Sequence, residues 1–110
     1  MKVAYKIWLD NNGKAIGKGP NDLLKLVEET NSLSRAAAQM GMSYSKAWQL
    51  IRCAEKNLGF LLLERTVGGL AGGGSKVTEK AKEWTRRYDH FEKDLEEAVE
   101  QIYRDHFSTL

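Results

Sequence analysis

Residues 32–58 have the sequence SLSRAAAQMGMSYSKAWQLIRCAEKNL, which predicts two helices joined by a tight turn. Ser32 and Ser43 favour the N-cap position, so we expect the first helix at Leu33–Met40 and the second at Tyr44–Leu58. Two helices joined by so short a turn are the pattern of a helix-turn-helix. An ordinary helical hairpin with a polar face has the same pattern, and both interpretations stay open at this point.

Small residues in this segment fit a close crossing of the two helices. Ala36 and Ala37 supply small side chains in the first helix, as a steep crossing requires. Gly41 lies in the turn, where we expect a larger residue to clash or to strain the backbone. Gly59 is expected to end the second helix. The predicted buried stripe of the second helix consists of Ala47, Leu50, Ile51, Ala54 and Leu58.

The residues before this segment predict a β-hairpin and one further helix. Apolar and polar residues alternate over 3–9, and the turn sequence Asp-Asn-Asn-Gly follows, so we expect a hairpin at 1–18 with its return strand at 15–17. The hairpin either extends the sheet of a later wing or contributes to a dimer contact. Pro20 suits the first turn of a helix, which gives a three-helix core at 20–59.

Residues 60–77 predict two short strands joined by a glycine-rich loop, with the first strand at 60–66. A hairpin in this position is the wing of a winged helix-turn-helix. Glycines let the main chain approach phosphates closely, so Gly72 and Gly73 are candidate DNA contacts. A nucleotide-binding phosphate loop is the rival interpretation, but Ser75 and Lys76 stand in the reverse of the order that such a loop needs.

A long final helix is predicted at 78–107, with Thr78 as its N-cap. Its apolar residues recur at alternating spacings of three and four, which is a heptad pattern. Such a helix is about 42 Å long, more than a domain of this size covers. We therefore expect a homodimer, with the first half of the helix on its own domain and the second half on the partner; packing on the chain's own helices alone is the alternative. The predicted interface residues are Trp84, Tyr88, Phe91, Leu95 and Ile102.

Charge is divided unevenly along the chain. The net formal charge is +1 over residues 1–34, +6 over 35–87 and −5 over 88–110, which gives the overall +2. A basic middle joined to an acidic end indicates that the middle faces a polyanion. The composition is that of an ordinary globular protein, and we expect one domain over 1–110, mainly α with a small β component.

The candidate DNA-binding residues divide by the chemistry of their side chains. Cationic side chains suit phosphates or guanine, and these are Lys46, Arg52, Arg65 and Lys76. Polar side chains at the start of the recognition helix suit base edges, and these are Ser43, Tyr44, Ser45 and Gln49. The backbone N–H of Ser43 is also placed to meet a phosphate. Trp48 is predicted to pack in the core or against a second subunit rather than on a base.

Several classes of protein are disfavoured by what the sequence lacks. No apolar run approaches the length of a membrane span, and the N-terminus is too interrupted for a signal peptide. The lone cysteine, Cys53, fits a reducing cytoplasm. His90, His106 and Cys53 have no metal-site spacing, and nothing in the chain activates a nucleophile or water. We therefore expect a cytoplasmic protein that is not an enzyme and needs no metal or cofactor.

The segment from Ser32 to Trp48 resembles the DNA-binding domain of ModE-type molybdate-responsive regulators and, more distantly, the LysR-type winged domain. The likeness continues through Leu63-Glu64-Arg65-Thr66-Val67-Gly68-Gly69, the triple glycine at 72–74, and Val77-Thr78. It extends from residue 20 to about residue 95. It implies a winged helix-turn-helix that pairs through its long helices and binds an operator in double-stranded DNA.

Molybdate sensing in that family belongs to C-terminal oxyanion-binding domains. The chain ends at Leu110, directly after the long helix, so we expect the DNA-binding role here without molybdate binding. Two alternatives remain. One is an oxyanion-binding module that uses the glycine-rich loop or the dimer contact, and the other is a protein-interaction module that uses the heptad helix.

Overall fold

A short β-hairpin, three packed helices, a wing and a long helix follow one another along the chain. The computed structural model describes residues 1–11, 13–66 and 74–109, and their side chains except at 14–16 and 66. In chain order the elements are β1 (Trp8–Asp10), β2 (Lys14–Gly17), α1 (Lys18–Thr30), α2 (Leu33–Gln39), α3 (Tyr44–Leu58), β3 (Leu63–Thr66), β4 (Gly74–Val77) and α4 (Glu79–Phe107). The described chain is thus mainly helical with a small β component.

Side-chain caps fix the starts of α2 and α3. The Ser32 hydroxyl accepts a hydrogen bond from the Arg35 N–H, and the Ser43 hydroxyl accepts one from the Lys46 N–H, each at 3.1 Å. These bonds satisfy backbone donors that a helix start leaves without partners. Gly59 ends α3 in the left-handed conformation, with φ of 85°. Both predicted ends of α3 are confirmed, and α2 ends one residue before the predicted Met40.

The turn between α2 and α3 is tight and hydrogen-bonded. The Met42 N–H donates to the Ala37 carbonyl at 3.0 Å, and Gly41 has φ of 69°. A Cβ added to Gly41 would meet no atom within 4 Å. The sequence predicted that a larger residue here would either clash or strain the backbone. The structure rules out the clash and supports backbone strain, because only the left-handed φ disfavours a larger residue.

The core lies where the first three helices meet the wing base and the start of α4. Small residues on α2 and α3 let the helices approach, since Ala36, Ala37, Ala47 and Ala54 are all buried. The largest fully buried side chains are those of Leu23, Leu24, Val27, Leu33, Ile51 and Leu62. Leu50 and Leu58 were predicted in the buried stripe but are only half-buried. Leu50 lies at the edge of the helix packing, where it lines a surface groove.

The N-terminal hairpin is shorter than predicted and stands apart from the wing. Strand β1 covers only residues 8–10 rather than 3–9, because β2 gives way to α1 at Lys18 and leaves no strand for the earlier residues to pair with. The β1–β2 and β3–β4 sheets are separate, so the hairpin does not extend the wing sheet. It lies against α3 instead, where the Asn11 side-chain amide donates to the Asn57 carbonyl at 2.7 Å.

The wing is an antiparallel pair, with Leu63 opposite Val77 at its buried base. Strand β3 begins at Leu63, three residues later than the sequence predicted. The reason is local, because the Leu62 N–H donates to the Glu55 carboxylate instead of to a strand. The Ser75 N–H donates to the Asn31 carbonyl at 3.2 Å, which ties β4 to the end of α1. Gly72 and Gly73 lie outside the described residues.

Helix α4 is anchored at its start and continues past the core. The Thr78 hydroxyl accepts from the Ala81 N–H at 3.1 Å and donates to the Leu61 carbonyl at 2.8 Å, so one side chain caps the helix and fastens it to the wing base. Asp89 accepts from Asn21 and Lys25 of α1. The helix ends at Phe107 as predicted and begins at Glu79, one residue after the predicted start, with Thr78 as its cap. The long helix contributes to an elongated shape of 63 × 27 × 21 Å.

Candidate nucleic-acid interface

The first turns of α3 present a polar surface to solvent. Ala47 and Ile51 are fully buried on the inner side of the helix. The candidate base-reading and cationic residues of this helix are all exposed, namely Ser43, Tyr44, Ser45, Lys46, Gln49 and Arg52. The 3.6-residue helical period separates the two sides, so burial of the alanine and isoleucine directs the polar set outward.

A hydroxyl group can both accept and donate hydrogen bonds, and among the described residues the Ser43 hydroxyl only accepts. Its oxygen accepts from the Lys46 N–H and caps α3. The hydroxyl proton can still donate to an acceptor such as a phosphate or a base edge. Ser43 is therefore both a structural residue and a candidate contact, and replacing it would change both properties at once.

Trp48 brings together cations from α3 and from the wing. Its half-buried ring packs against the core, as the sequence predicted in part. The guanidinium carbon of Arg52 lies 4.5 Å from the ring centroid, and that of Arg65 on β3 lies 5.1 Å from it. Tyr44 lies alongside, with its ring centroid 6.5 Å away. Two of the predicted DNA-binding arginines are therefore neighbours, although they stand 13 residues apart in sequence.

Glu55 links α3 to the wing, and this role was not predicted from the sequence. Its carboxylate accepts from the Leu62 N–H at 2.8 Å and from the Leu63 N–H at 3.4 Å. Its other oxygen lies 3.5 Å from Arg52. The side chain is only 8% exposed, which is rare for a glutamate unless its oxygens are partnered. The signal was present, because Glu55 continues the four-residue spacing of the buried Ala47 and Ile51.

Lys76 and Arg65 flank the wing but are not brought together. Arg65 is paired with Ser75, and Lys76 is paired with Glu64 on the adjacent rung. Side chains on successive rungs of a two-stranded ribbon point to opposite faces. Arg65 thus lies on the face that carries Leu63 and contacts Trp48, whereas Lys76 lies on the other face. Lys76 is exposed there as a separate cation.

The heptad residues of α4 divide into a packed half and an exposed half. Tyr88 is only 3% exposed within its own chain, and Trp84 packs against the core with its ring 6.0 Å from that of Phe60. Phe91 and Ile102 are 40% and 59% exposed. The first helices of the same chain already cover Tyr88, and its assignment to the dimer interface stays a prediction.

A groove of about 910 Å³ lies between the N-terminal residues 1–7 and the second half of α4. Leu95, Val99 and Tyr103 supply apolar lining from the helix. The acidic lining residues are Glu92, Glu96 and Glu100, and lysines line it at positions 2, 6 and 18. The groove thus combines an apolar floor with charges of both signs at its edges.

The described ranges contain no cluster of three or more His, Cys, Asp or Glu side chains placed to hold a metal ion. No helix within them is long and apolar enough to cross a membrane. Cys53 is a free, exposed thiol.

A protein family model matches the segment that forms this arrangement of helices and wing. The family model of bacterial regulatory helix-turn-helix proteins of the LysR family matches residues 22–82, which is more than half of the chain. This chain belongs to that family. The matched segment runs from α1 to the first turn of α4, so it contains the whole helix-turn-helix and the wing. A winged helix-turn-helix is the fold that the sequence predicted, and the family match agrees with it.

Curated relatives refine the comparison. The chain is 39% identical over 61 residues to the molybdenum transport protein ModE of Herbaspirillum seropedicae, which covers 56% of this chain and 23% of that protein. It is 36% identical over 76 residues to the transcriptional regulator ModE of Haemophilus influenzae, covering 69% and 30% of the two chains. It is 34% identical over 67 residues to the DNA-binding transcriptional dual regulator ModE of Escherichia coli K12, covering 61% and 26%. The domain is thus ModE-like, and the chain spans less than a third of each of these relatives.

Proposed function

We propose that this protein is a transcriptional regulator that binds double-stranded DNA as a homodimer. The observation that carries the proposal is the exposed polar surface of α3 on a buried helix-turn-helix core, within a family of regulatory helix-turn-helix proteins. A recognition helix enters the major groove with its N-terminal residues toward base edges. Bacterial operators are in the cytoplasm, so that is the compartment in which the protein acts.

Different side chains at the start of α3 contact base edges and phosphates. Gln49 and Tyr44 are exposed beside the helix start and reach base edges, with glutamine suited to adenine. Lys46 and Arg52 supply cations for phosphates. Lys76 adds a phosphate contact from the outer face of the wing.

Salt dependence of binding tests this function directly. A fluorescently labelled duplex of about 30 base pairs is titrated with the protein between about 50 and 200 mM NaCl. The logarithm of the association constant is expected to fall linearly with the logarithm of salt concentration, because cations on the protein displace counterions from DNA. Selection of bound sequences from random duplexes then gives the operator and the half-site spacing. Absence of binding at the lowest salt would contradict the proposal.

Dimerisation is assigned to the second half of α4. Ile102 is exposed there, Phe91 is exposed just before the midpoint of the helix, and Leu95 lines the groove beside residues 1–7. Apolar surface of this kind is stabilised when a second copy covers it. The α4 wall of the groove carries three acidic residues and Arg104, and lysines lie on the opposite side. Charges of both signs suit a two-fold contact in which each surface meets its complement.

Sedimentation equilibrium of matched variants tests this interface. Ile102→Glu places a charge in the proposed contact and is expected to shift the protein toward monomer. Lys93→Gln makes the same charge change on an exposed site on the opposite side of the helix and is expected to leave the dimer intact. Equal effects of the two variants, or a wild-type monomer at micromolar concentration, would contradict the assignment.

The oxyanion alternative depends on the glycine-rich loop or on the dimer contact, and most of that loop lies outside the described residues. The protein-interaction alternative depends on the same exposed half of α4 that we assign to the dimer. Calorimetry with molybdate distinguishes the first alternative from DNA binding, since that module would release or absorb heat with molybdate in the absence of DNA.

A further inference from the structure

We infer that Trp48 is a positioning residue that holds Arg52 and Arg65 together as a two-guanidinium clamp for one segment of the DNA phosphate backbone. The inference rests on the proposed DNA binding and deepens it by assigning a ligand to the seam between α3 and the wing. Arg52 comes from the recognition helix, and Arg65 comes from wing strand β3. Each of the two guanidinium groups lies over the Trp48 ring.

The geometry keeps the two cations close. Their distances from the ring centroid, 4.5 and 5.1 Å, place the guanidinium carbons no more than about 9.6 Å apart. Two like charges at that separation repel each other, and the electron-rich face of an indole offsets part of the repulsion. An anion that contacts both guanidinium groups would offset more of the repulsion. Among the described side chains, Arg65 forms no ion pair, so its charge is available to an external anion.

The ring itself is held in place from below. Trp48 packs against the buried core of the chain, while its neighbour Arg52 has a side chain that is 63% exposed. Glu55 contacts Arg52 from the buried side at 3.5 Å, which restrains the guanidinium without covering it. Arginine side chains that are already held at the ring lose less conformational entropy on binding than unrestrained side chains would.

The chemistry that this clamp recognises is an oxyanion. Guanidinium groups donate several hydrogen bonds in a plane and suit phosphate oxygens. A phosphodiester of DNA and a free inorganic oxyanion share that chemistry. The site favours the phosphodiester, because both arginines are exposed and lie beside the recognition helix, where a duplex docked on α3 would bring its backbone.

A set of variants separates positioning by Trp48 from a merely structural role. Arg52→Gln and Arg65→Gln are each expected to reduce the salt slope of duplex binding by about 0.9, one phosphate contact each. Trp48→Leu, which keeps an apolar side chain but removes the aromatic face, is expected to weaken binding about tenfold, since both arginine side chains must then be ordered on binding. Trp48→Phe keeps an aromatic face and should restore most of that loss. Lys93→Gln controls for the change in net charge.

Coupling between the substitutions is the decisive measurement. If Trp48 acts through the two arginines, adding Trp48→Leu to the Arg52→Gln/Arg65→Gln protein should weaken binding by less than about twofold further. A twofold change is about the deviation from additivity that independent substitutions show. In the free protein, the side-chain Nε–H resonances of both arginines should carry ring-current shifts that disappear in Trp48→Leu and return in Trp48→Phe. Thermal unfolding of each variant verifies that it is folded.

Three results would overturn the inference. The first is a full, multiplicative loss when the tryptophan and arginine substitutions are combined. The second is a folded Trp48→Leu protein that binds DNA like wild type. The third is a wild-type protein that binds duplex while both arginine resonances respond to inorganic phosphate and not to the duplex, which would make the seam a free-oxyanion site. Failure of the broader proposal is distinguishable, since wild type would then fail to bind duplex whatever the ring-current shifts show.

Discussion

Removal of the Glu55 carboxylate should loosen the wing from the recognition helix. Glu55→Ala takes away the acceptor for the buried Leu62 N–H, at 2.8 Å, and for the Leu63 N–H, at 3.4 Å. A hydrogen bond to a charged group contributes about 1.5–3 kcal/mol to stability. A buried N–H that is left without an acceptor costs a similar amount, about 1–3 kcal/mol. The longer bond adds less, so we expect a loss of about 2–4 kcal/mol in the free energy of unfolding.

Two companion variants isolate the cause. Glu55→Gln keeps one oxygen acceptor and should lose only about 1 kcal/mol. Arg52→Ala breaks the 3.5 Å ion pair with Glu55 and should lose less than about 1 kcal/mol, because the arginine is 63% exposed and water screens the pair. The expected order of stability loss, with Glu55→Ala largest, therefore depends on the two backbone amides rather than on the arginine.

Urea unfolding at one fixed protein concentration measures these differences, since any dimer makes stability depend on concentration. For a chain of this size a loss of 2–4 kcal/mol corresponds to a fall of about 8–16 °C in Tm. Amide exchange at Leu62 and Leu63 should accelerate in Glu55→Ala beyond the change in global stability. A loss below about 0.5 kcal/mol, or a loss equal to that of Arg52→Ala, would refute the reasoning.

Three further substitutions test the packing around the site. The Tyr88 hydroxyl is buried without a hydrogen-bond partner among the described residues, and burial first, then nearby carboxylates, raises the pKa of its phenol above 10.0. Tyr88→Phe should therefore unfold at the same temperature or higher at neutral pH. The variant should also lack the fall in stability that wild type shows as pH rises above the unfolded-state pKa of about 10. Gly41→Ala should cost about 1–2 kcal/mol in urea unfolding, because φ is 69° at an otherwise open position, and Gly41→Asn should cost less. Thr78→Val should lose about 1–2 kcal/mol with the cap of α4, whereas Thr78→Ser, which keeps both hydroxyl bonds, should stay near wild type in a thermal melt.

Local signals in the sequence predicted the helical part of the fold. Ser32, Ser43 and Thr78 fixed the starts of three helices, since a cap acts between residues three apart and needs no tertiary contact. The left-handed glycine at Gly59 fixed the end of α3 for the same reason. The exposed side of the recognition helix also follows from periodicity, because Ala47 marks the buried side.

The tertiary structure decided which residues meet across elements. The early strand was overpredicted because its alternation is local, whereas pairing needs a partner strand that ends when α1 begins at Lys18. Tyr88 continued a heptad pattern, yet the chain's own helices cover it.

Residues 32–58 by themselves determined that this chain builds a helix-turn-helix, because caps, small residues and helical period are all contained in that segment. Only the tertiary structure decided how the recognition helix is joined to the wing. Trp48 meets Arg65 across 17 residues of sequence, and Glu55 meets the amide of Leu62 across a turn. Such contacts depend on where β3 folds back onto α3, which no local spacing records. The physical reason is that capping and periodicity act over one or two helical turns, whereas a cation on a ring or a carboxylate on a distant amide needs the whole core to be packed first.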